Sequence, residues 1–569
     1  MKWETVRMKK ALPVGIEDFK EIILKNYYYI DKSLFIKELL DNGSKVSLFT
    51  RPRRFGKTLA LSMLRYFFEK EFTEEGKTID NTYLFEDLKI MGVGAEYTFH
   101  MGQYPVIILS LKSAKQPTFE MAYASIIDEL AMEFDRHKSV LGSNELSEEE
   151  KKQFQRFIRK QASDAECFKA VKFLSRCLQK VYQKNVIILL DEYDVPLENA
   201  WFRGFYGKMT DFIRSLFESA LKTNSSLEFA VITGCLRISK ESIFTGLNNL
   251  EIISVLSGRY SEHFGFTVPE VEKMLQFYNI EEKKEEVKRW YDGYLFGNTE
   301  VYNPWSMINY VKEAENDINA LPRPYWANTS SNDIIRDMIE KADAGVKQEL
   351  EALIAGEYIE KPVHEDITYE DIHSSQDNLW NFLFFTGYLK KVGEHMQADT
   401  IYIVLAIPNA EIKYIYRNTI MDWFNRQIRQ KDFSALYKAL LKKDTSLLEK
   451  ELSRNLMETV SFFDYKEDYY HGFTAELLKM MDGYLIQSNR ESGLGRRDII
   501  IRSAPYEGVA VIIETKVADT YAQLEEKAAE ALAQIEEKQY DAELRLEGYH
   551  TFLKFGIAFF KKLCKAVSD

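Results

Sequence analysis

The chain has 569 residues, 46% of them hydrophobic and 14% aromatic, with a formal net charge of −13. That length exceeds what one hydrophobic core supports and points to about three or four domains, while the apolar content excludes a disordered chain. The acidic balance argues against a basic coat over the whole surface, so any site for a polyanion must be local. Four cysteines (Cys167, Cys177, Cys235, Cys564) lack C-x-x-C spacing and suit a reducing cytoplasm better than a disulfide framework or a structural zinc site. The opening "MKWETVRMKK" has no apolar core, and no apolar run is long enough to cross a bilayer, so neither secretion nor membrane insertion is expected.

From Val46 to about Gly265, short apolar runs ("KVSLFT", "YPVIILSL", "NVIILLDEYD", "LEFAVITG") alternate with longer helical patterns. Such runs between helices read as a parallel sheet covered on both faces. The stretch "TRPRRFGKTL" follows the first run and ends as a phosphate-binding loop does, with Gly56, Lys57 and Thr58. In such a loop glycines let backbone N–H groups approach phosphates, the lysine neutralises charge and the hydroxyl binds Mg²⁺. Arg51 stands at the first glycine position, and "PRRF" adds bulk together with two cations, Arg53 and Arg54, as candidate nucleotide contacts. The strand before and the helix after the loop favour a phosphate site, because the helix N-terminus points its dipole at the anion.

Farther along, "VIILLDEYD" ends a buried strand in acids, which are costly there unless they bind a cation or take part in chemistry. Asp191 is the expected Mg²⁺ partner, and Glu192 the group that orients and activates the attacking water. After "FAVITG", Thr233 is a candidate sensor of the γ-phosphate and Arg237 a candidate transition-state arginine. An arginine supplied by a neighbouring subunit would instead require a homo-oligomer.

From about Phe266 to Arg454 strand signals thin out and charged amphipathic stretches take over, predicting a mostly helical middle. The acidic "EYIEKPVHEDITYEDIHSSQD" reads as an exposed linker or surface insertion. Strand signals resume in "YLIQS", "RRDIIIRS" and "VAVIIETK". A helix follows, whose Leu524, Ala528, Ala531 and Ile535 form one apolar stripe. If "APYEG" turns an antiparallel hairpin centred near Tyr506, Asp498 faces Glu514, and Lys516 projects from the same face as Glu514. Two acids that bind Mg²⁺ beside a lysine that orients water are what metal-assisted phosphodiester hydrolysis requires.

"LPVGIEDFKEIILKNYYYIDKS", "TRPRRFGKTL", "LLDEYDVP", "ITGCLRISKESIFTGLNNL" and "YNPWSMINY" together resemble the bacterial AAA-ATPase-like family, and the resemblance runs over nearly the whole chain. The family loop is typically R-P-R-R-F-G-K-[ST], so Arg51 matches the family form. The C-terminal stretch is similar to the PD-(D/E)XK nuclease superfamily domain that ends members of this family. That resemblance implies that Asp498, Glu514 and Lys516 carry the motif, with Arg497 where the name implies proline. Glu476 is then an additional candidate metal or water partner, and Gln534 with Tyr540 resembles the polar motif on the helix after the core.

The expected protein is an α/β multidomain chain in the cytoplasm. It has a P-loop NTPase parallel sheet with flanking helices over residues 1–265, a helical region over 266–454 and a restriction-endonuclease-like α/β domain over 455–569. Its expected cofactors are ATP and Mg²⁺, and its expected partner is nucleic acid, DNA first, at the C-terminal domain. The expected function is ATP-regulated nucleic-acid cleavage, with a nucleotide-dependent switch or scaffold that binds a partner without cutting as the alternative.

Overall fold

The computed structural model describes residues 9–569 except 74–76, 237–242, 245–248, 328–332, 342, 366–368, 370, 373–374, 431, 459–466, 480, 482–483, 493–494 and 504–507, and except the side chains of 333–334, 338–339, 344, 421–430, 458, 467–469, 488–492 and 495–498. The chain forms two compact units, one of residues 1–330 with 360–412 and the other of 331–359 with 413–569. Residues of the 266–454 stretch thus enter both. Among the described residues no helix is long and apolar enough to cross a membrane.

The first unit is built on five parallel strands, β1 (Val46–Thr50), β2 (Val106–Ser110), β3 (Val186–Asp191), β4 (Leu227–Gly234) and β5 (Leu250–Ile253), in the order β2-β3-β4-β1-β5. Residues of β1 and β3 are buried throughout, which is why these strands read as unbroken apolar runs rather than alternating ones. The register matters for function: Phe49 pairs with Thr233 and Ser110 with Asp191, so β3, β4 and β1 end side by side. Helix α1 (Lys57–Phe68) follows β1 and buries Leu61, Leu64, Phe67 and Phe68. Helix α2 (Val195–Arg203) follows β3, with Pro196 in its first turn, where the missing N–H costs nothing, and Gly204 closing it in the left-handed conformation.

The following stretch is not helical alone. Strands β6 (Phe266–Thr267), β7 (Tyr294–Phe296) and β8 (Thr299–Tyr302) make an antiparallel sheet in the order β6-β8-β7. Helix α3 (Val268–Tyr278) begins with a Thr267–Glu270 capping box, and α4 (Pro304–Asn316) is capped by Asn303. These helices share a core that includes Val271, Leu275, Met307 and Tyr310. A second small sheet holds β9 (Ile359–Pro362), β10 (Lys390–Gln397) and β11 (Thr400–Ala406) in the order β9-β11-β10. The acidic stretch expected to be an exposed linker contributes β9 and buries Tyr369 and Ile372, with Tyr369 packed on Tyr206 and Phe382.

In the second unit, helix α5 (Glu467–Leu478) precedes the sheet β12 (Tyr484–Ser492), β13 (Gly495–Ser503), β14 (Val509–Val517), β15 (Thr551–Phe560) and β16 (Leu563–Ser568), arranged in chain order. β14 and β15 pair in parallel, and the other neighbours antiparallel. Helix α6 (Leu524–Glu537) is the crossover between the parallel pair, and its Leu524, Ala528, Ala531 and Ile535 are all buried, as the stripe predicted. The faces of the sheet divide by parity. Ile499, Ile501, Val511 and Ile513 pack with Tyr470, Phe473 and Leu477, whereas Ile500, Ala510 and Ile512 pack with Ile535 and Tyr540. On β15, a Cβ at Gly556 would overlap the Ala528 carbonyl oxygen and the Leu532 amide of α6, so glycine sets how closely this helix approaches.

Gly556→Ala is expected to destabilise the second unit by about 1–3 kcal/mol through overpacking, measured as faster amide exchange across Leu524–Glu537. Buried Glu411 accepts from Ser306 Oγ at 2.8 and 3.0 Å and from Trp326 N at 2.8 Å. Burial, only partly offset by these donors, pushes its carboxyl from the ordinary 4.5 up to about 7. The folded state therefore holds that proton more tightly than the unfolded chain, and stability falls as pH rises from about 4.5 to about 7. Glu411→Gln is expected to raise the melting temperature of the first unit above pH 7, by an equivalent of about 1–3 kcal/mol, and to do less at pH 5.

Candidate functional site

At the ends of the parallel strands the phosphate loop, Asp191 and Thr233 come together because β4 lies between β3 and β1. Thr58 Oγ1, in the first turn of α1, donates to Asp191 Oδ2 at 2.7 Å, and Thr233 Oγ1 donates to Asp191 Oδ1 at 2.5 Å. The same Thr233 hydroxyl accepts from the backbone N–H of Glu192 at 3.4 Å. Glu192 takes a left-handed backbone (φ 51°), which turns it out of the strand line, and it is half-buried. Its carboxyl is raised above the ordinary glutamate value by burial and by the Asp191 charge, with Lys57 acting the other way. The donor set of Thr58 and Asp191 consists of hard oxygens, which is what Mg²⁺ takes.

Lys57 is buried, and its Nζ donates to the carbonyl oxygens of Arg51 and Pro52, both at 2.9 Å. The loop therefore folds around its own lysine, and a phosphate oxygen would compete with these carbonyls for the ammonium protons. Gly56 takes φ 84° and Arg54 φ 69°, the kind of turn that aims backbone N–H groups into a concavity suited to anions. Arg53 pairs with Glu198 of α2, and the Arg54 guanidinium lies 4.4 Å from the Trp305 ring centre. Each of these loop cations thus has a protein partner, which a nucleotide would share or displace.

Sequence reasoning missed two residues at this site. Arg51 is fully buried: its Nη1 donates to the carbonyls of Thr50 at 3.0 Å and Ile253 at 2.9 Å, and its guanidinium lies 4.9 Å from the Phe296 ring centre and 5.5 Å from that of Phe264. In place of a glycine, the loop has a side chain that ties the end of β1 to the end of β5. The other is Asp194, whose Oδ2 accepts from the N–H groups of Cys235 at 2.7 Å and Leu236 at 3.1 Å and so fixes the exit of β4 against that of β3. The third acid of "DEYD" was the available signal. Arg237 lies outside the described residues.

In the second unit, β13 and β14 pair at Ile499↔Ile513, Ile500↔Ile512, Ile501↔Val511 and Arg502↔Ala510, the rungs of a hairpin centred on position 506. Asp498 precedes Ile499 on β13, and its side chain lies outside the described residues, as does that of Glu491. Glu514 is buried on β14, and Lys516 follows two residues later, half-buried. The Gln534 amide of α6 donates to Glu514 Oε1 and lies 3.3 Å from Tyr540 Oη, so the Gln–Tyr pair reaches the carboxylate directly. Glu476 belongs to α5, whose core residues pack on the other face of the sheet, and its carboxylate pairs with Lys479. His471 is buried, in keeping with a structural histidine.

The lysines near the C-terminus are largely committed to ion pairs. Lys554 pairs with Glu536 at 2.6 Å and Asp541 at 3.2 Å, Lys562 with Glu351 at 3.0 Å and Lys565 with Glu449 at 3.1 Å. Their positive charge is therefore matched by acids.

Residues 13–244 match the AAA-ATPase-like family model, described as a predicted AAA-ATPase. Residues 465–568 match the model of the PD-(D/E)XK nuclease superfamily. A curated protein named "Uncharacterized protein in vnfD 5'region", from Azotobacter chroococcum mcd 1, is 28% identical over 344 residues, which is 59% of this chain and 57% of that protein. The chain thus spans little more than half the length of this relative. The strand order, the loop closed on Asp191 and the sheet that carries Glu514 agree with the two matches: the chain carries an AAA-ATPase-like domain at residues 13–244 and a PD-(D/E)XK nuclease superfamily domain at residues 465–568.

Proposed function

We propose that the chain binds and hydrolyses ATP with Mg²⁺ at the end of β1, and that this cycle regulates metal-dependent cleavage of nucleic acid, DNA first, at the C-terminal domain. The observation that carries the first part is the Asp191 carboxylate, contacted on one oxygen by Thr58 and on the other by Thr233. Thr58 and Asp191 would hold Mg²⁺, which would supply Lewis-acid stabilisation of the charge that develops on the phosphates. Lys57 exchanges its loop carbonyls for phosphate oxygens. Glu192 is placed beside Asp191 to orient the attacking water and accept its proton. Thr233 relays the state of the phosphate end to β4, where Asp194 holds the following backbone.

At the C-terminal domain the support is the Gln534–Glu514 contact. The amide fixes the orientation of one carboxylate oxygen, and Lys516 extends from the same strand face. Continuing the β13–β14 ladder by one rung would set Asp498 across from Glu514, giving two acids and a lysine in the arrangement phosphodiester hydrolysis needs. The partner would then be the nucleic-acid backbone, and coupling to the ATPase would control its access.

Two sets of variants test this reading. Lys57→Ala is expected to weaken ATP binding by about tenfold or more, and Glu192→Gln to leave binding intact while slowing hydrolysis by about 10²- to 10⁴-fold, read by titration calorimetry and phosphate release. Cleavage of labelled single- and double-stranded DNA and RNA, with Mg²⁺ or Mn²⁺ and with or without ATP, is expected to be lost in Asp498→Ala and altered in Lys57→Ala. Cleavage unchanged in Lys57→Ala would sink the coupling. No cleavage under any condition, beside ATP binding that needs Lys57, would leave the switch or scaffold.

A further inference from the structure

The helix Ala410–Gln430 carries the chain from one unit into the other: residues 410–412 belong to the first and residues 413–430 to the second. Its beginning is fastened to the first unit by side chains. Asn409 Oδ1 accepts from the Ile412 N–H at 3.0 Å and caps the helix, while Asn409 Nδ2 donates to the Asp292 carbonyl at 2.7 Å. The fully buried Glu411 accepts from Ser306 Oγ and from the Trp326 N–H. A buried carboxylate is costly without such donors, and neither the proposed ATPase chemistry nor the proposed nuclease chemistry uses this one.

Ser306 lies in the first turn of α4 beside Trp305, whose ring takes the Arg54 guanidinium of the phosphate loop at 4.4 Å from its centre. Asn303 Oδ1 locks these two residues together by accepting from the N–H groups of Trp305 at 2.9 Å and Ser306 at 3.3 Å. Trp305 Nε1 also donates to the Tyr325 carbonyl at 3.2 Å, and Tyr325 precedes Trp326, the other donor to Glu411. Arg54 is thus joined to Glu411 through the capped turn of α4 and again through the Tyr325–Trp326 backbone. Arg53 pairs with the Glu198 carboxylate, whereas Arg54 rests on a ring face. A phosphate, which accepts charge-assisted hydrogen bonds from a guanidinium, is a stronger partner than a ring.

We propose that Arg54, Trp305, Ser306 and Glu411 relay the nucleotide state of the phosphate loop to the helix Ala410–Gln430, a proposal that rests on the ATP-site reading and names a route for its regulation of the second unit. When polyphosphate binds, Arg54 leaves the Trp305 ring for a phosphate oxygen. The first turn of α4 loses that restraint, the Ser306–Glu411 contact weakens, and the start of the helix opens more often. The switch is one guanidinium with two alternative partners, and the helix responds because its first turn is held by the turn that Arg54 covers. Trp305, Ser306 and Glu411 act through one another and are positioning residues.

The test is amide hydrogen exchange at Trp326 and across Ile412–Tyr416 on the full chain, with and without excess ATP and Mg²⁺, beside titration calorimetry of ATP, for wild type, Trp305→Leu, Trp305→Phe and Ser306→Ala. Ligand binding by itself stabilises the folded state and slows exchange, so faster exchange here is a signature that stabilisation alone does not give. In wild type, ATP is expected to speed exchange at these amides about fivefold or more. Trp305→Leu keeps an apolar side chain without a ring face; it is expected to exchange fast before ATP is added and to gain nothing with it, while still binding ATP, which shows that it is folded. Trp305→Phe restores the ring and is expected to recover the response, and Ser306→Ala to lose it. Exchange unchanged or slower in ATP-bound wild type, or a response of wild-type size in Trp305→Leu or Ser306→Ala, would overturn the inference. If wild type binds no ATP in the calorimeter, the ATP-site reading falls and the inference falls with it.

Discussion

The carboxylate of Asp191 joins the parts on which the proposed nucleotide site depends. It ends β3, receives a hydroxyl from Thr233 on the neighbouring β4 and receives another from Thr58 on the helix that follows β1. No two of these groups are close in sequence; the strand order β3-β4-β1 brings them together. A buried carboxylate without donors would cost several kcal/mol, so the two hydroxyls are needed for the strand to end in an acid at all. Both donors are neutral, which leaves the negative charge available to a cation. The same group that closes the sheet end is therefore the one suited to hold Mg²⁺.

The second unit solves a similar problem by different means. Glu514 lies on a buried stretch of β14, and its polar partner comes from α6 through Gln534. That helix can bring the amide within reach because Gly556, the register partner of Glu514 on β15, has no side chain to hold it off. A residue that carries no chemistry thus sets the separation across which the carboxylate is oriented.

Local features of both sites were legible in the sequence. Alternation on either side of "APYEG" is a period-two signal with a turn between, and centring the hairpin on Tyr506 gives the Ile499↔Ile513 rung that the sheet contains. The phosphate loop and "LLDEYD" announced themselves by strand, glycine and acid. What was not legible depends on partners distant in the chain or on elements too short to show a period. Phe266–Thr267 and Tyr294–Phe296 are two- and three-residue strands, so a stretch rich in helices hid a sheet. The acidic partners of Lys562 and Lys565 are Glu351 and Glu449, each more than a hundred residues away in the chain, so these ion pairs leave no local signal. Tyr369 and Ile372 were masked by the acids around them, since composition averages over residues that the fold treats separately.

Arg51 changes what the loop is electrically. Its burial lowers the guanidinium to about 9, which still leaves it charged at neutral pH, and its neighbours are carbonyl dipoles and aromatic faces. A cation in such surroundings lies beyond the reach of mobile counter-ions, and its field is damped far less than that of a surface arginine. A conventional glycine loop offers an incoming anion only backbone dipoles and one lysine. This loop adds a fixed internal charge, so part of its attraction for a polyphosphate would persist at ionic strengths that silence exposed cations.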